Sequence, residues 1–378
     1  VRPVHRAVIA AYLFAWLFLP MAGYSLPGVP NYTKMTATSY GVLLGVMLFD
    51  SGRLTRFRPR WFDLAIVVWC VVPFASSVSN GLGAYDGVSA TVNTTVTWGL
   101  PYLIGRMYFT SPPAIRDLAM GLVIGGLIYV PLCLYEIRMS PQLHNMLYGF
   151  HQHSFAQTKR LGGFRPTVFM QHGLMVGMWM CMTTLAAFWL WKAGGVRQLR
   201  GYPLVWLLGL LAVTAVLCKS FGALVLMLVG AGVLWLFGGR RRVWPFALLL
   251  AVVPGYIGVR ATGLWSGEQA VAMASLIDEQ RAGSLRFRFE NEDILAEKAL
   301  QRPLVGWGGW GRNRVFNERG EDISVTDGLW IIALGQHGVV GVAGLFGMLL
   351  IPTWLAMRVA QRKSVDPMCR AAVQALAV

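Results

Sequence analysis

Charged side chains are scarce in this sequence. Asp, Glu, Lys and Arg together make up 13% of the 378 residues, whereas a soluble domain usually has about 25%. Hydrophobic residues account for 56%. A chain with so few charges cannot shield that much apolar surface from water, which excludes an ordinary soluble domain. Most of the apolar surface is therefore expected to face lipid.

Cysteine is also rare. The five cysteines, at positions 70, 133, 181, 218 and 369, lie in or beside apolar runs without the spacing of metal ligands. We expect them to be small buried side chains. His151, His153 and His172 have no accompanying cluster of acids, and two histidines two residues apart do not share a helix face. The sequence therefore predicts no metal site.

Long apolar runs dominate what is present. The strongest cover residues 7–26, 61–77, 118–135, 168–191, 202–218, 221–238, 243–259 and 337–357, and weaker ones cover 39–50 and 88–105. An α-helix crosses a bilayer core in about 20 residues. The runs predict an all-α, polytopic helical membrane protein with about 10–12 transmembrane helices, folded as a single integral membrane domain over residues 1–378. A further run begins near Cys369, and the chain starts without Met, which leaves open whether a terminal segment is missing.

The net charge of +16 would suggest nucleic-acid binding in a soluble protein. With the N-terminus inside and each run crossing once, however, nearly all of the excess positive charge falls on the inner segments. This is the positive-inside bias that orients membrane proteins. We therefore expect a cytoplasmic N-terminus, the lipid bilayer as a partner and no nucleic acid.

Two outer segments are long, while the inner loops are short and basic. They cover residues 137–166 and 261–326. A connection as long as the second is usually functional or disordered, and its Trp, Phe and helical patterning argue against disorder. The functional groups are therefore expected on the outer face.

The larger segment contains "SLRFRFENEDILAEKALQRP", residues 284–303, which predicts a helix that Ser284 caps and Pro303 ends. The next stretch, "PLVGWGGWGRNR", matches G-x-G-x-x-G. That pattern indicates a dinucleotide site only within a βαβ unit, and here it follows a helix and Pro. We interpret it as a flexible turn and expect neither a nucleotide nor another cofactor.

The order of these motifs resembles the signature region of the O-antigen ligase and O-antigen polymerase family of bacterial membrane glycosyltransferases. That family has an Arg about 15 residues before a Pro-Leu-x-Gly-x-Gly turn, then His-Asn, and a Gly-x-x-Gly eleven residues past the His. Here Arg288 lies 15 residues before Pro303, and Asp327 lies eleven before Gly338. Looser matches are "LPYLIGRMYF" (100–109), "KRLGGFRPTVFMQHG" (159–173) and "CKSFGAL" (218–224).

The resemblance implies transfer of a glycan from undecaprenyl diphosphate to a saccharide hydroxyl, without a metal, on the periplasmic side of the bacterial inner membrane. The partners are then the lipid-linked glycan donor and the saccharide acceptor. Arg288 and Arg165 are expected to bind the diphosphate, with Arg160 and Lys219 as further contacts, because guanidinium groups bind such oxygens bidentately. Asp327 occupies the position of the family His, and Gly328 that of the Asn. A carboxylate can also serve as base, so Asp327 is expected to be the base or to position the acceptor, in a divergent ligase or polymerase.

Each residue also has a structural interpretation. Arg288 could pair with Glu292 one turn along the helix, and Asp327 could cap the helix that starts at Gly328. Lys219 could extend toward the membrane interface. His337 is interpreted as packing or capping.

Two other functional classes remain open at this stage. One is a flippase or other transporter of lipid-linked oligosaccharide, although the spans are nearly free of acids. The other is a non-catalytic partner in polysaccharide export. The sequence does not identify the sugar, the acceptor or the oligomeric state.

Overall fold

The computed structural model describes residues 3–24, 31–160, 162–276, 278–362, 365 and 367–378. Leu161 and Ile277, which belong to the segments 137–166 and 261–326, lie outside the described residues. The structure is 71% helical with almost no sheet. Within its described part, five helices are long and apolar enough to cross a membrane, so the prediction of an all-α fold is confirmed.

The described residues form sixteen α-helices. They are α1 Val4–Phe18, α2 Lys34–Phe49, α3 Ser51–Arg56, α4 Leu64–Ser79, α5 Ala84–Thr94, α6 Leu100–Tyr108, α7 Pro112–Met139, α8 Leu143–Tyr148, α9 Gly173–Lys192, α10 Leu204–Leu217, α11 Phe221–Phe237, α12 Trp244–Ala261, α13 Glu268–Ser275, α14 Glu279–Leu300, α15 Leu329–Ala360 and α16 Pro367–Leu376. The longest connections lie between α8 and α9 and between α14 and α15. Antiparallel two-residue strands pair as β1 Gly23–Tyr24 with β2 Tyr32–Thr33, β3 Lys159–Arg160 with β4 Gly163–Phe164, and β5 Gln198–Leu199 with β6 Tyr202–Pro203.

The predicted apolar runs coincide with helices. The five long ones are α4 with its preceding turn (Trp61–Ser79), α7, α9, α12 and α15, and shorter apolar helices are α1, α2, α10 and α11. The run 88–105 corresponds to α5 and α6, which a π-helical stretch at Thr95–Gly99 joins. The run 7–26 is helical only as far as Phe18, since Pro20 follows and β1 then pairs with β2.

The largest core lies where α7, α9, α10 and α11 meet. Tyr129, Met180 and Leu211 are completely or almost completely buried there. Cysteines 70, 133, 181 and 218 are buried, as expected, and Cys369 is partly exposed. A second core joins α4 to α15, where a Cβ on Gly344 would lie 2.8 Å from the backbone nitrogen of Trp69. The two helices can approach so closely because Gly344 has no side chain.

α14 begins earlier than predicted. The helix starts at Glu279, so Ser284 lies within it and does not cap it. The predicted end is right, because the helix stops at Leu300, just before Pro303. The stretch that precedes Ser284 is polar and has little apolar periodicity, which explains why the sequence pattern missed the first turns.

Candidate functional site

The glycine turn packs into a break in α15. Gly338 has φ 64° and ψ −166° in the middle of that helix, a conformation that glycine adopts far more readily than other residues. The break leaves backbone groups without helical partners, and the turn supplies them. Val339 N–H donates to the carbonyl of Pro303 (2.8 Å), while Trp307 N–H donates to the carbonyl of Gly335 (2.8 Å).

The fit between turn and break leaves no space for side chains. A Cβ on Gly306, whose φ is 70°, would lie 2.5 Å from the backbone of Gln336. A Cβ on Gly338 would lie 2.3 Å from the carbonyl oxygen of Leu304. Asn80, just after α4, donates to the carbonyl of Gly306 (2.9 Å). The G-x-G-x-x-G match is therefore a structural clamp, which agrees with its interpretation as a turn and corrects the expectation that it is flexible.

A buried arginine fixes α14 against its neighbours. Arg260, at the end of α12, is 2% exposed and pairs with Glu292 (3.1 Å) and Asp293 (2.8 Å). Glu292 also accepts hydrogen bonds from Tyr256 (2.6 Å) and Trp330 (3.1 Å). The network joins α12, α14 and α15, and a buried charge is stable when it is paired in this way.

Arg288 and Asp327 form an ion pair. The distance from Nε of Arg288 to Oδ2 of Asp327 is 3.0 Å, and the side chains are 52% and 53% exposed. Glu292 pairs with Arg260 and Arg288 pairs with Asp327, so the alternative prediction of an Arg288–Glu292 pair is wrong. Asp327 does not cap α15 either, because the N-cap position is occupied by Gly328. Asn291 accepts a hydrogen bond from the backbone of Val325 (2.6 Å), which holds this loop against α14.

Three of the predicted cationic residues meet at a second location. Arg165 donates through Nη2 to the carbonyl of Lys219 (3.0 Å), and Lys219 Nζ donates to the carbonyl of Arg160 (2.9 Å). Lys219 has φ 52° in the two-helix junction between α10 and α11. The contacts join the β3–β4 hairpin to that junction. Lys219 therefore reaches the hairpin, whereas one interpretation of the sequence had it extending toward the membrane interface.

Arg165 is the buried member of this group, with 8% of its surface exposed. Its stem occupies the space that Gly173 leaves open, where a Cβ would lie 2.3 Å from Cδ of Arg165. Its Nε is buried and has no hydrogen-bond partner among the described residues. Burial lowers the pKa of Arg165, and Arg160 lowers it further. A buried cation with an unused donor is a favourable site for an anion.

His172 connects the two groups electrostatically. Burial lowers the pKa of His172, His153 and Arg165 lower it further, and the carboxylate of Asp327 opposes them. The rings of His153 and His172 are 4.5 Å apart. A narrow cleft is lined by His153, Ser154, Gln157, Thr158, Arg165, Thr167, His172 and Gly173. Asp327 and Arg165, which are far apart in sequence, thus shift the pKa of the same imidazole in opposite directions.

Sequence reasoning missed Glu136. Its side chain is 0% exposed near the end of α7, and it accepts hydrogen bonds from the backbone N–H groups of Leu143 (2.9 Å), Thr167 (2.8 Å) and Val168 (2.8 Å). Val168 has φ 48°, which is unusual for a β-branched residue. Glu136 therefore shapes the segment that presents Arg165. An acid directly after a long apolar run, here 118–135, is the signal that indicates such a role.

In the part of the chain that the structure describes, no group of three or more His, Cys, Asp or Glu side chains could hold a metal ion. Comparisons with protein-family models, curated proteins and solved structures find no match. The function is therefore inferred from the residues and the geometry of the site.

Proposed function

We propose that this protein is a multi-pass membrane glycosyltransferase that moves a glycan from a lipid diphosphate to a saccharide hydroxyl. The reaction resembles that of O-antigen ligases or exopolysaccharide polymerases. The N-terminus lies in the cytoplasm of a bacterium, and the segments 137–166 and 261–326 face the periplasm. The observation that carries the proposal is the buried guanidinium of Arg165, whose Nε has no hydrogen-bond partner among the described residues. The Arg288–Asp327 ion pair supports it.

The diphosphate is the part of the donor that these residues can recognise. It is anionic when bound and gains negative charge as the glycosidic bond breaks. Arg165 has a buried donor without a partner, and Arg288 is half exposed. Preorganised cations that stabilise developing charge are usually the largest contribution to catalysis. Arg160 and Lys219 lie in the same cluster as Arg165 and add to the positive potential there.

Donor binding also activates the base in this proposal. The diphosphate competes with Asp327 for Arg288, and the carboxylate becomes a better proton acceptor when the guanidinium leaves it. The acceptor hydroxyl oxygen then attacks the anomeric carbon and transfers its proton to Asp327. The bond from that carbon to the diphosphate oxygen breaks, and its electron pair stays on the diphosphate.

The test is deletion of the gene in its host, followed by analysis of surface polysaccharide and of lipid-linked intermediates. Long glycans retained on the carrier are expected for a ligase, and single repeat units for a polymerase. Complementation with Asp327→Ala or Arg288→Ala is expected to fail at normal protein levels. Arg286→Ala, at an exposed position of the same helix, is the matched control and is expected to restore the product.

Two results would contradict the proposal. Intermediates that accumulate only on the cytoplasmic face would indicate a flippase. Full rescue by both Asp327→Ala and Arg288→Ala would indicate a non-catalytic assembly partner, since a scaffold tolerates the loss of either side chain.

A further inference from the structure

A groove lies at the end of α15 that is remote from Asp327. It is lined by Arg60, Trp61, Phe62, Leu355, Arg358, Val359 and Arg362 and has a volume of about 600 Å³. The lining comes from the start of the α4 segment and the last turns of α15. At 1.5 Å per residue, roughly 40 Å of helix separates it from Asp327. It is therefore a separate site.

The groove combines three guanidinium groups with apolar side chains. Arg60, Arg358 and Arg362 are all exposed, and none of them is ion-paired to a carboxylate within the described ranges. The guanidinium of Arg358 lies 4.9 Å from the ring centroid of Trp354, which holds it beside the groove. Like charges in such proximity repel one another, and an anion between them would relieve the repulsion.

Asp63, three residues after Arg60, is already engaged by other groups. Asp63 accepts hydrogen bonds from Arg106 (2.8 Å), from the hydroxyl of Tyr102 (2.7 Å) and from the backbone N–H of Arg60 (2.7 Å). Its carboxylate is 8% exposed. The positive charge of the three arginines is thus left for a ligand.

We propose that this groove binds an anionic phospholipid of the surrounding bilayer. Guanidinium groups bind phosphate oxygens bidentately, and basic pockets between helices at the cytoplasmic side suit acidic headgroups. Trp61, Leu355 and Val359 provide an apolar wall for the glycerol backbone and the first carbons of the chains, which a free phosphate ion would not use. The orientation proposed above places the groove at the cytoplasmic leaflet.

The experiment titrates the purified full chain, in neutral detergent, with phosphatidylglycerol or with phosphatidylcholine, and counts bound lipids by native mass spectrometry. The wild-type protein is expected to bind its first phosphatidylglycerol at least 10-fold more tightly than phosphatidylcholine. The triple variant Arg60→Gln, Arg358→Gln, Arg362→Gln is expected to lose that preference. Arg358→Lys, which keeps the charge and loses the bidentate geometry, is expected to lose only part of it.

The control variant removes three positive charges outside the groove. Arg56→Gln, Arg241→Gln, Arg242→Gln changes three other exposed arginines and is expected to keep the preference, with thermal unfolding showing that both triple variants are folded. Equal phosphatidylglycerol binding by the groove variant and the wild type would overturn the proposal. Displacement of the lipid by millimolar inorganic phosphate would also overturn it, since the groove would then be a site for free anions.

Discussion

The guanidinium of Arg288, on α14, lies 3.0 Å from the carboxylate of Asp327, in the loop before α15. Both side chains are about half exposed, and a pair of that kind contributes about 0.2–1 kcal/mol to stability. The ion pair therefore contributes little to the stability of the protein. The proposed chemistry gives the pair a further role, because Arg288 would bind the donor diphosphate and Asp327 would accept the proton of the acceptor.

Arg288→Ala and Asp327→Asn are each expected to reduce glycan transfer by about 100-fold or more, the usual cost of removing a group that stabilises developing charge or accepts the proton. The activity of the double variant should lie within a few-fold of that of the less active single variant, because the two residues act together. Transfer is measured with purified protein in lipid nanodiscs. Single variants that keep near-full activity would remove the pair from catalysis.

Arg165→Ala is expected to weaken binding of undecaprenyl diphosphate at least 10-fold, which corresponds to about 1.4 kcal/mol. Arg165→Lys should recover little of it, because an ammonium lacks the fork of donors. Arg160→Ala, at an exposed position, is the comparison and should change affinity by less. Equal effects at the two positions would show that general positive charge, and not the buried donor of Arg165, is responsible.

Glu136→Gln is expected to destabilise the protein by about 1–3 kcal/mol. The amide would present N–H groups to the backbone donors of Leu143, Thr167 or Val168, and an unsatisfied buried group costs about 1–3 kcal/mol. Thermal unfolding in detergent measures the loss, and Glu297→Gln, at an exposed position of α14, should change little. If the two variants unfolded alike, Glu136 would not be needed to hold the segment that carries Arg165.

Gly338→Ala is expected to destabilise the protein by several kcal/mol. The backbone conformation is strained for any other residue, at about 1–3 kcal/mol, and the Cβ would also overlap the carbonyl of Leu304. Gly222→Ala is the control, because nothing lies within 4 Å of a Cβ there and Ala favours a helix. Unchanged unfolding of Gly338→Ala would show that the turn does not depend on the break.

His144 is expected to make stability depend on pH. Burial lowers its pKa below the ordinary 6.5, Lys34 and His151 lower it further, and the carbonyl of Phe150 opposes them. Nε2 accepts from the backbone of Met21 (3.1 Å), so the neutral ring is the bound form. Because the unfolded chain then binds the proton more readily, stability is full above about pH 6.5 and falls as the pH decreases toward the folded-state pKa.

The measurement for His144 is thermal unfolding between about pH 7.5 and 5. His144→Gln is expected to be less stable but to show a shallower dependence on pH. His151→Gln, at an exposed position, should keep the wild-type slope. An unchanged slope in His144→Gln would assign the pH dependence to other groups.

Hydrophobic runs predicted where the helices lie, because burial in lipid or in a core requires the same continuous apolar pattern. They did not predict the break in α15, because the run 337–357 places Gly338 near the start of a span and not inside a longer helix. They also missed the start of α14 at Glu279, where the helix is polar and its first turns pack through Ala282 into the core with Val271 and Phe289.

Motif spacing selected Arg288 and Asp327, and looser motif matches selected Arg165, Arg160 and Lys219. The structure groups the first two into an ion pair and the other three into a cluster. It did not select Glu136. The role of Glu136 depends on the backbone N–H groups of Thr167 and Val168. Those contacts form only after the chain folds back, and single-residue patterns do not record them.

The contact of α4 with α15 has a consequence for the order of synthesis. The hydroxyl of Ser76 donates to the carbonyl of Gln336, 260 residues later in the chain (2.6 Å). Asn80 donates to the carbonyl of Ser76 nearby and, once that residue has been made, to the carbonyl of Gly306. On a ribosome that makes about 5–20 residues per second, the polar end of α4 therefore waits more than ten seconds for these partners. During that interval water or other groups must satisfy the hydroxyl of Ser76, so the last contacts of α4 form only late in synthesis.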